Sequence, residues 1–116
     1  VKIKLPARMS KIESTVFGRC TALQKIALPE EIPAIEHQMF EGCVSLQDIY
    51  IPSSVKKVGL NAFSNCKSLS SVYFGGSKEM WDKVVIEMSD MSTGNRYLTN
   101  SIMNRYWNQT AASIGF

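Results

Sequence analysis

The sequence predicts a solenoid of stacked 23-residue coils that ends in a capping segment. Three observations lead to this fold class. The chain repeats itself every 23 residues, short alternating segments end in proline at Pro6, Pro29 and Pro52, and the repetition stops after residue 76. A unit of this size cannot enclose a core alone, so neighbouring units must stack and share one.

The repeat is defined by four apolar positions that keep the same phase in three copies. Phenylalanine opens each copy, and cysteine, leucine and isoleucine or valine follow at intervals of three residues. The equivalent sets are Phe17, Phe40, Phe63; Cys20, Cys43, Cys66; Leu23, Leu46, Leu69; and Ile26, Ile49, Val72. A second apolar pair lies between the copies, as Met9 and Ile12, Ile32 and Ile35, and Val55 and Val58. Stacking therefore predicts ladders of like side chains inside the molecule.

The end of each copy predicts a strand with one buried face. Leu46, Ile49 and Ile51 are apolar, whereas Asp48 and Tyr50 stand between them. Such alternation is typical of a strand with one face in the core. Proline cannot donate to a strand ladder and should end each strand, at Pro6, Pro29 and Pro52. The repeats thus fill residues 1–76, with one leading strand and three copies.

Residues 77–116 are predicted to cap the stack. Ser77 can cap a short helix over residues 78–83, with Trp81 and Val84 facing inward. The open end of a solenoid exposes apolar area and strand edges, so a terminal element must cover it. Trp81 is the residue expected to cover the last coil.

A second segment of the tail, residues 95–106, spaces apolar residues four apart and predicts a helix, or alternatively a strand from Ser101. The other end of the chain begins inside a repeat. We therefore expect an uncovered edge at Val1, with further repeats before it in the natural protein and self-association as a possible consequence.

The composition is that of an ordinary soluble domain, with 45% hydrophobic and 20% charged residues. The net charge of +3 comes from scattered basic residues, so nothing indicates a nucleic-acid partner or an anionic membrane surface. No apolar run approaches the roughly 18 residues of a membrane-spanning helix. The class of partner must therefore be inferred from the shape of the fold.

The three cysteines are separated by the repeat length and lack the short spacing of zinc ligands. Stacking places them in a column about 4.8 Å apart with parallel side chains, which favours buried structural thiols. A disulfide and a metal site are the alternatives.

Other residues that can carry chemistry have ordinary explanations. His37 is the single histidine and belongs to a return segment, and no nucleophile can be paired with it. Glu30 and Glu31 lie at a turn, where solvated carboxylates are ordinary, and a glycosidase pair is the alternative. Gly75 and Gly76 lack the lysine of a phosphate loop. The sequence predicts no catalytic residue, no metal and no cofactor. Asn108-Gln109-Thr110 is a glycosylation sequon that matters only in a eukaryotic secretory pathway.

The pattern Phe-x-x-Cys-x-x-Leu-x-x-Ile-x-Ile-Pro resembles the BspA-type leucine-rich repeat from Val1 to about Gly76. The resemblance implies a solenoid with a short parallel sheet on its concave face, mainly β or α/β, found on secreted or surface proteins of bacteria and of some unicellular eukaryotic parasites. Glu13 and Glu36 depart from the family's common glycine, which Gly59 retains. The tail resembles, more weakly, the segment that follows the last such repeat.

In such repeats the strand residues between the buried ones line the concave surface. Here these candidate contact residues are Lys2, Lys4, Lys25, Ala27, Asp48, Tyr50, Ser71 and Tyr73. Tyr50 and Tyr73 should lie side by side in adjacent strands, and tyrosine is enriched at binding hot spots. The alternative is that tyrosine simply favours strand surfaces.

Three functions can be ranked. The first is a non-catalytic recognition module, the protein-binding or adhesion part of a larger secreted or cell-surface protein, with a protein or a glycan as ligand. The second is a passive spacer that displays another domain. An enzyme with an unrecognised site ranks last, because an extended sheet face offers no cleft.

Overall fold

The computed structural model describes residues 17–87 and 104–110, residue 112, and the backbone of residues 2–4. Within these ranges the chain forms eight strands and one helix. In chain order they are β1 (Lys2–Lys4), β2 (Lys25–Ala27), β3 (Ala34–Ile35), β4 (Asp48–Ile51), β5 (Lys57–Val58), β6 (Ser71–Phe74), α1 (Lys78–Asp82), β7 (Val85–Ile86) and β8 (Asn104–Tyr106).

The strands form two parallel sheets. The larger sheet has the order β1-β2-β4-β6-β8, and the smaller has the order β3-β5-β7. In the larger sheet Ile26 pairs with Ile49 and Ile49 with Val72, so neighbouring strands are one repeat apart. The predicted leucine-rich-repeat fold, with stacked 23-residue coils and a parallel sheet, is confirmed. The smaller sheet, which the return segments form, was not predicted.

The predicted phenylalanine ladder lies in the core. Phe17 and Phe63 stack on opposite sides of Phe40, with ring centroids 5.5 and 5.3 Å away. Phe40 and Phe63 have no exposed surface, and Phe17 is 8% exposed. The leucine ladder and the isoleucine–valine ladder belong to the same buried cluster. Identical side chains thus share one continuous interior.

The return segments contain left-handed residues that repeat with the same period. Arg19, Gly42 and Asn65 occupy one such position, with φ angles of 58°, 77° and 62°. The amide of Arg19 donates to the carbonyl of Glu41 in the next coil at 2.7 Å, and Gly42 donates to Ser64 at 2.8 Å. The left-handed backbone therefore directs an N–H along the axis of the stack. Only glycine and asparagine adopt it at little cost, so Arg19 is strained.

Gln38 and Asn61 form a second left-handed pair, with φ angles of 57° and 59°. The amide of Gln38 likewise donates to the next coil, at the carbonyl of Leu60.

Gly59 is required for a different reason, the close approach of neighbouring coils. A Cβ on Gly59 would lie 2.4 Å from the amide nitrogen of His37, so the coils approach too closely here for any side chain.

The tail begins with the expected helix. Ser77 caps α1 by accepting a hydrogen bond from the amide of Met80, and Trp81 and Val84 are buried, 8% and 9% exposed. The ring of Trp81 packs edge-on against Phe74 at 5.2 Å. These inward positions and the helix are confirmed, although α1 ends at Asp82.

Beyond α1 the tail extends both sheets. Ile86 pairs with Val58 in the smaller sheet, and Tyr106 pairs with Tyr73 in the larger one. Of the two alternatives for residues 95–106, the helix is wrong for residues 104–106, which form β8 and agree with the strand from Ser101. The rest of that segment lies outside the described residues. Strand pairing prevails because β6 offers a free edge. This coil is longer than 23 residues, which is why the period is lost.

The inward face of β8 differs from that of the other strands. Arg105 holds the register position that Ile49 and Val72 occupy earlier, and it is half-buried. Trp107 follows, half-buried, with its ring centroid 6.5 Å from Phe74. The apolar ladder thus ends in an arginine and an aromatic cluster.

Candidate recognition surface

The strand register of the larger sheet sets two rows of residue positions on its outer face. We call the first the mixed row and the second the tyrosine row. The mixed row contains Lys2, Lys25, Asp48, Ser71 and Asn104, and the tyrosine row contains Lys4, Ala27, Tyr50, Tyr73 and Tyr106. All eight predicted contact residues belong to these rows. The positions of Lys2 and Lys4 follow from the backbone of β1 alone.

The tyrosine row contains one stacked pair of rings. Tyr73 and Tyr106 lie face to face, with centroids 4.7 Å apart and planes 17° from parallel. On its other side Tyr73 packs against a small cluster formed by Tyr50 and Ala27. Tyr73 is half-buried, and Tyr106 is 41% exposed. The row therefore presents its outer rim to solvent at Tyr73 and Tyr106.

The expectation that Tyr50 exposes its ring is wrong. Tyr50 is only 2% exposed, because Ala27 and Tyr73 enclose it and its hydroxyl donates a 2.6 Å hydrogen bond to Glu30 Oε1. Burial, together with this bond to a carboxylate, raises the pKa of Tyr50 above that of a free phenol. A Cβ on Gly75 would lie 2.8 Å from the Tyr50 hydroxyl, so that glycine leaves room for the contact. Tyr50 therefore lies buried in the tyrosine row, packed against Tyr73, and is not an exposed contact residue.

Tyr106 was missed as a contact residue by sequence reasoning, which left its segment open between a helix and a strand. The local signal was present, since Tyr106-Trp107 repeats the tyrosine-aromatic order of Tyr73-Phe74. The longer last coil hid it, because the two pairs are not one repeat length apart.

The mixed row is partly covered. Lys25 and Asp48 are half-buried, and Asn104 is exposed. Ser71 is 8% exposed, so its predicted exposure is wrong. Burial and the nearby Asp48 carboxylate raise the pKa of Tyr73. A hydrogen bond between the Ser71 and Tyr73 side chains lowers this pKa, but by less, so the pKa remains raised. Tyr73 therefore stays protonated at neutral pH and can donate a hydrogen bond.

The cysteine column is structural. Cys43 and Cys66 are buried, and their thiols donate to the carbonyls of Phe17 and Phe40 at 3.0 and 3.2 Å. Burial raises the pKa of Cys43 to about 11 and that of Cys66 to about 12. All three cysteines are free, and Cys20 is half-buried. The buried-thiol interpretation is therefore favoured over the disulfide.

The remaining polar residues that sequence reasoning weighed are scattered. His37 and Glu31 are exposed on the return side, and the Glu30 carboxylate accepts the Tyr50 hydrogen bond. In the described ranges no three His, Cys, Asp or Glu side chains gather where they could hold a metal ion. Asn108, the sequon asparagine, is exposed, with a φ of 56°. Across those same ranges, no helix has the length and apolar character needed to cross a membrane.

In the comparison with protein families, the family described as "BspA type Leucine rich repeat region (6 copies)" matches residues 1–106. Curated proteins give no match. Among solved structures, the chain is similar to a leucine-rich cell surface protein from Faecalibacterium prausnitzii A2-165, with 37% identity and a TM-score of 0.67. The match covers 70% of this chain and 21% of that one, so the chain spans about a fifth of that protein's length. The repeat register, the parallel sheets and the family match agree, and the chain belongs to the BspA-type leucine-rich repeat family.

Proposed function

We propose that the outer face of the larger sheet binds another macromolecule, in the first place a protein, as the non-catalytic recognition part of a secreted or cell-surface protein with an adhesion role. The observation that carries the proposal is the stacked Tyr73–Tyr106 pair, which is open at its rim. Tyrosine offers a large, stiff contact area with a hydroxyl, at low cost in side-chain entropy. Tyr50, fixed by Glu30, holds the row in place.

The surface location is supported by two facts. The chain belongs to the BspA-type family, and the similar solved structure is named a cell surface protein. A sheet face crossed by two long rows of side chains suits a partner that lies along it, whereas a small substrate needs an enclosing pocket.

The test is a pull-down from host and bacterial surface extracts, in which the parent chain is compared with a Tyr73→Ser/Tyr106→Ser variant. We expect one defined partner to be lost with the double substitution. The matched control replaces exposed apolar residues outside the tyrosine row, Leu60→Ser and Val85→Ser, which are 37% and 60% exposed. This control should retain the partner.

The second candidate is a passive spacer that displays another domain, and the burial of Tyr50 and Ser71 favours it, since both have structural contacts. A spacer predicts that the tyrosine substitutions leave every captured partner in place. That result would refute the recognition function.

A further inference from the structure

We propose that Tyr73 and Tyr106 form a site of oxidative cross-linking, at which a one-electron oxidant, a haem peroxidase with hydrogen peroxide, joins the two rings as dityrosine. This modification is independent of the recognition function above. Three features of the pair support it: the geometry of the rings, the open rim and the positions of the two strands in the chain.

The strand register brings equivalent atoms of the two rings opposite each other. Tyr73 and Tyr106 are direct partners in neighbouring parallel strands, so their side chains leave the same face of the sheet in the same direction. The ring centroids are 4.7 Å apart and the planes are 17° from parallel. Neighbouring strands lie about 4.8 Å apart, so the two rings are related by roughly one strand spacing. Each ring carbon therefore has its counterpart at about that distance.

The two phenols supply every atom of the cross-link. Loss of one electron and one proton from each hydroxyl gives two phenoxyl radicals, whose unpaired electrons are shared with the Cε carbons beside the oxygens. A Cε of Tyr73 then bonds to a Cε of Tyr106. The hydrogens on these two carbons leave as protons while the two oxygens are protonated again, which restores both aromatic rings. The electrons and protons removed from the pair convert one hydrogen peroxide into two waters.

The fold supplies the encounter that this coupling requires. Two radicals on separate molecules must meet by diffusion, whereas two side chains that are already held together react in an effectively unimolecular step. Tyr106 is 41% exposed and Tyr73 is half-buried, so an oxidant that cannot enter the core still reaches the rim of the pair. The pair is therefore both accessible and arranged for coupling.

The other aromatic contacts lack one or more of these features. The phenylalanine ladder stacks at similar distances, but its rings have no hydroxyl to oxidise. Tyr50 is the register partner of Tyr73 on the other side, yet it is 2% exposed and its hydroxyl donates to Glu30. Within the described part of the chain, Tyr73 packs against Tyr50 without ring stacking and stacks on Tyr106.

The cross-link fastens the last coil to the repeats. Tyr73 lies in β6 and Tyr106 in β8, so the new bond closes a loop of the chain that contains α1 and β7. A covalent bond across a loop stabilises a fold mainly by restricting the unfolded chain, as a disulfide does. We therefore expect the cross-linked protein to unfold at a higher urea concentration than the untreated protein.

The test exposes the dilute chain to a haem peroxidase and hydrogen peroxide and follows the fluorescence of dityrosine. We expect a monomeric product whose mass shows the loss of two hydrogen atoms, and a proteolytic fragment in which Tyr73 is joined to Tyr106. The yield per molecule should not change on dilution, because the coupling is intramolecular. Oxidation of methionine adds an oxygen atom and is therefore distinguished by mass.

Phenylalanine variants separate this pair from the other tyrosines. Tyr73→Phe and Tyr106→Phe keep both rings and remove one hydroxyl, so each should lower the yield of monomeric dityrosine at least about 10-fold. The matched control is Tyr50→Phe, which removes a hydroxyl from the same row and should retain the yield. The proposal is overturned if no dityrosine forms, if the product is a dimer, if Tyr106→Phe retains the yield, or if the fragment joins Tyr73 to Tyr50.

Discussion

Replacement of Phe40 by alanine tests the shared interior of the stack. Phe40 is fully buried, with one ring stacked on each side. Phenylalanine-to-alanine changes in a core cost about 3–5 kcal/mol, and each aromatic pair adds about 0.5–1.5 kcal/mol beyond buried area. Two pairs are lost here, so we expect a loss of about 5 kcal/mol. That is comparable to the whole stability of a small domain, about 5–15 kcal/mol.

The assay is urea unfolding followed by far-ultraviolet circular dichroism and by tryptophan fluorescence. Trp81 and Trp107 pack near Phe74 at the β8 end of the stack, so they report whether damage at Phe40 spreads through the molecule. Phe40→Leu fills much of the space but also removes both aromatic pairs, so it should cost less than Phe40→Ala, roughly 1–3 kcal/mol. The reasoning fails if Phe40→Ala unfolds within about 1 kcal/mol of the parent.

Three further predictions concern the return segments and the thiols. Arg19→Gly should raise the unfolding free energy by about 1 kcal/mol, because it removes the strain of a left-handed residue. Gly42→Ala at the equivalent position should lower the unfolding free energy by about 1 kcal/mol. Equal effects of the two substitutions in urea titrations would contradict the conformational argument. Gly59→Ala should cost about 3 kcal/mol, since its Cβ meets backbone, and an unchanged melting temperature would show that the coils can separate. Cys43 and Cys66 should react with a thiol reagent at pH 8 only after unfolding. Because their folded pKa values lie above the ordinary 9.0, stability should be complete below pH 9 and fall as the pH rises towards about 11 and 12.

The sequence was sufficient for the core of the fold because stacking makes the interior periodic. A side chain in the middle of the ladder, such as Phe40, packs mainly on its own equivalents, so the pattern along the chain is also the pattern in space. The left-handed position at Arg19 was not recognised. Its conformation is evident only from Gly42 and Asn65 at equivalent positions, and it serves hydrogen bonds to the next coil that the apolar pattern does not record.

The candidate site was only partly predictable, because the burial of its side chains depends on contacts that the repeat pattern does not record. The register of the larger sheet correctly makes Tyr50 and Tyr73 neighbours. Burial depends on more than register, however. Tyr50 is covered because Ala27 is small and Glu30 lies within reach of the hydroxyl, both details of the preceding coil. Tyr106 joins the row across a coil of different length, where no fixed spacing relates it to Tyr73.

Substitution can separate a structural role of the tyrosine row from a role in binding. The mixed row changes residue at each strand, from Lys25 to Asp48 to Ser71, as expected where no stacking partner constrains the side chain. The tyrosine row instead keeps the same residue in three successive strands, as a core ladder does. If rigidity were its sole role, phenylalanine would serve equally well, because the stacking of Tyr73 and Tyr106 needs only the rings. A Tyr73→Phe/Tyr106→Phe variant should keep the parent's unfolding free energy within about 1 kcal/mol and yet bind its partner more weakly, since it removes two hydroxyl donors. Unchanged binding in this variant would leave the row with a structural role alone.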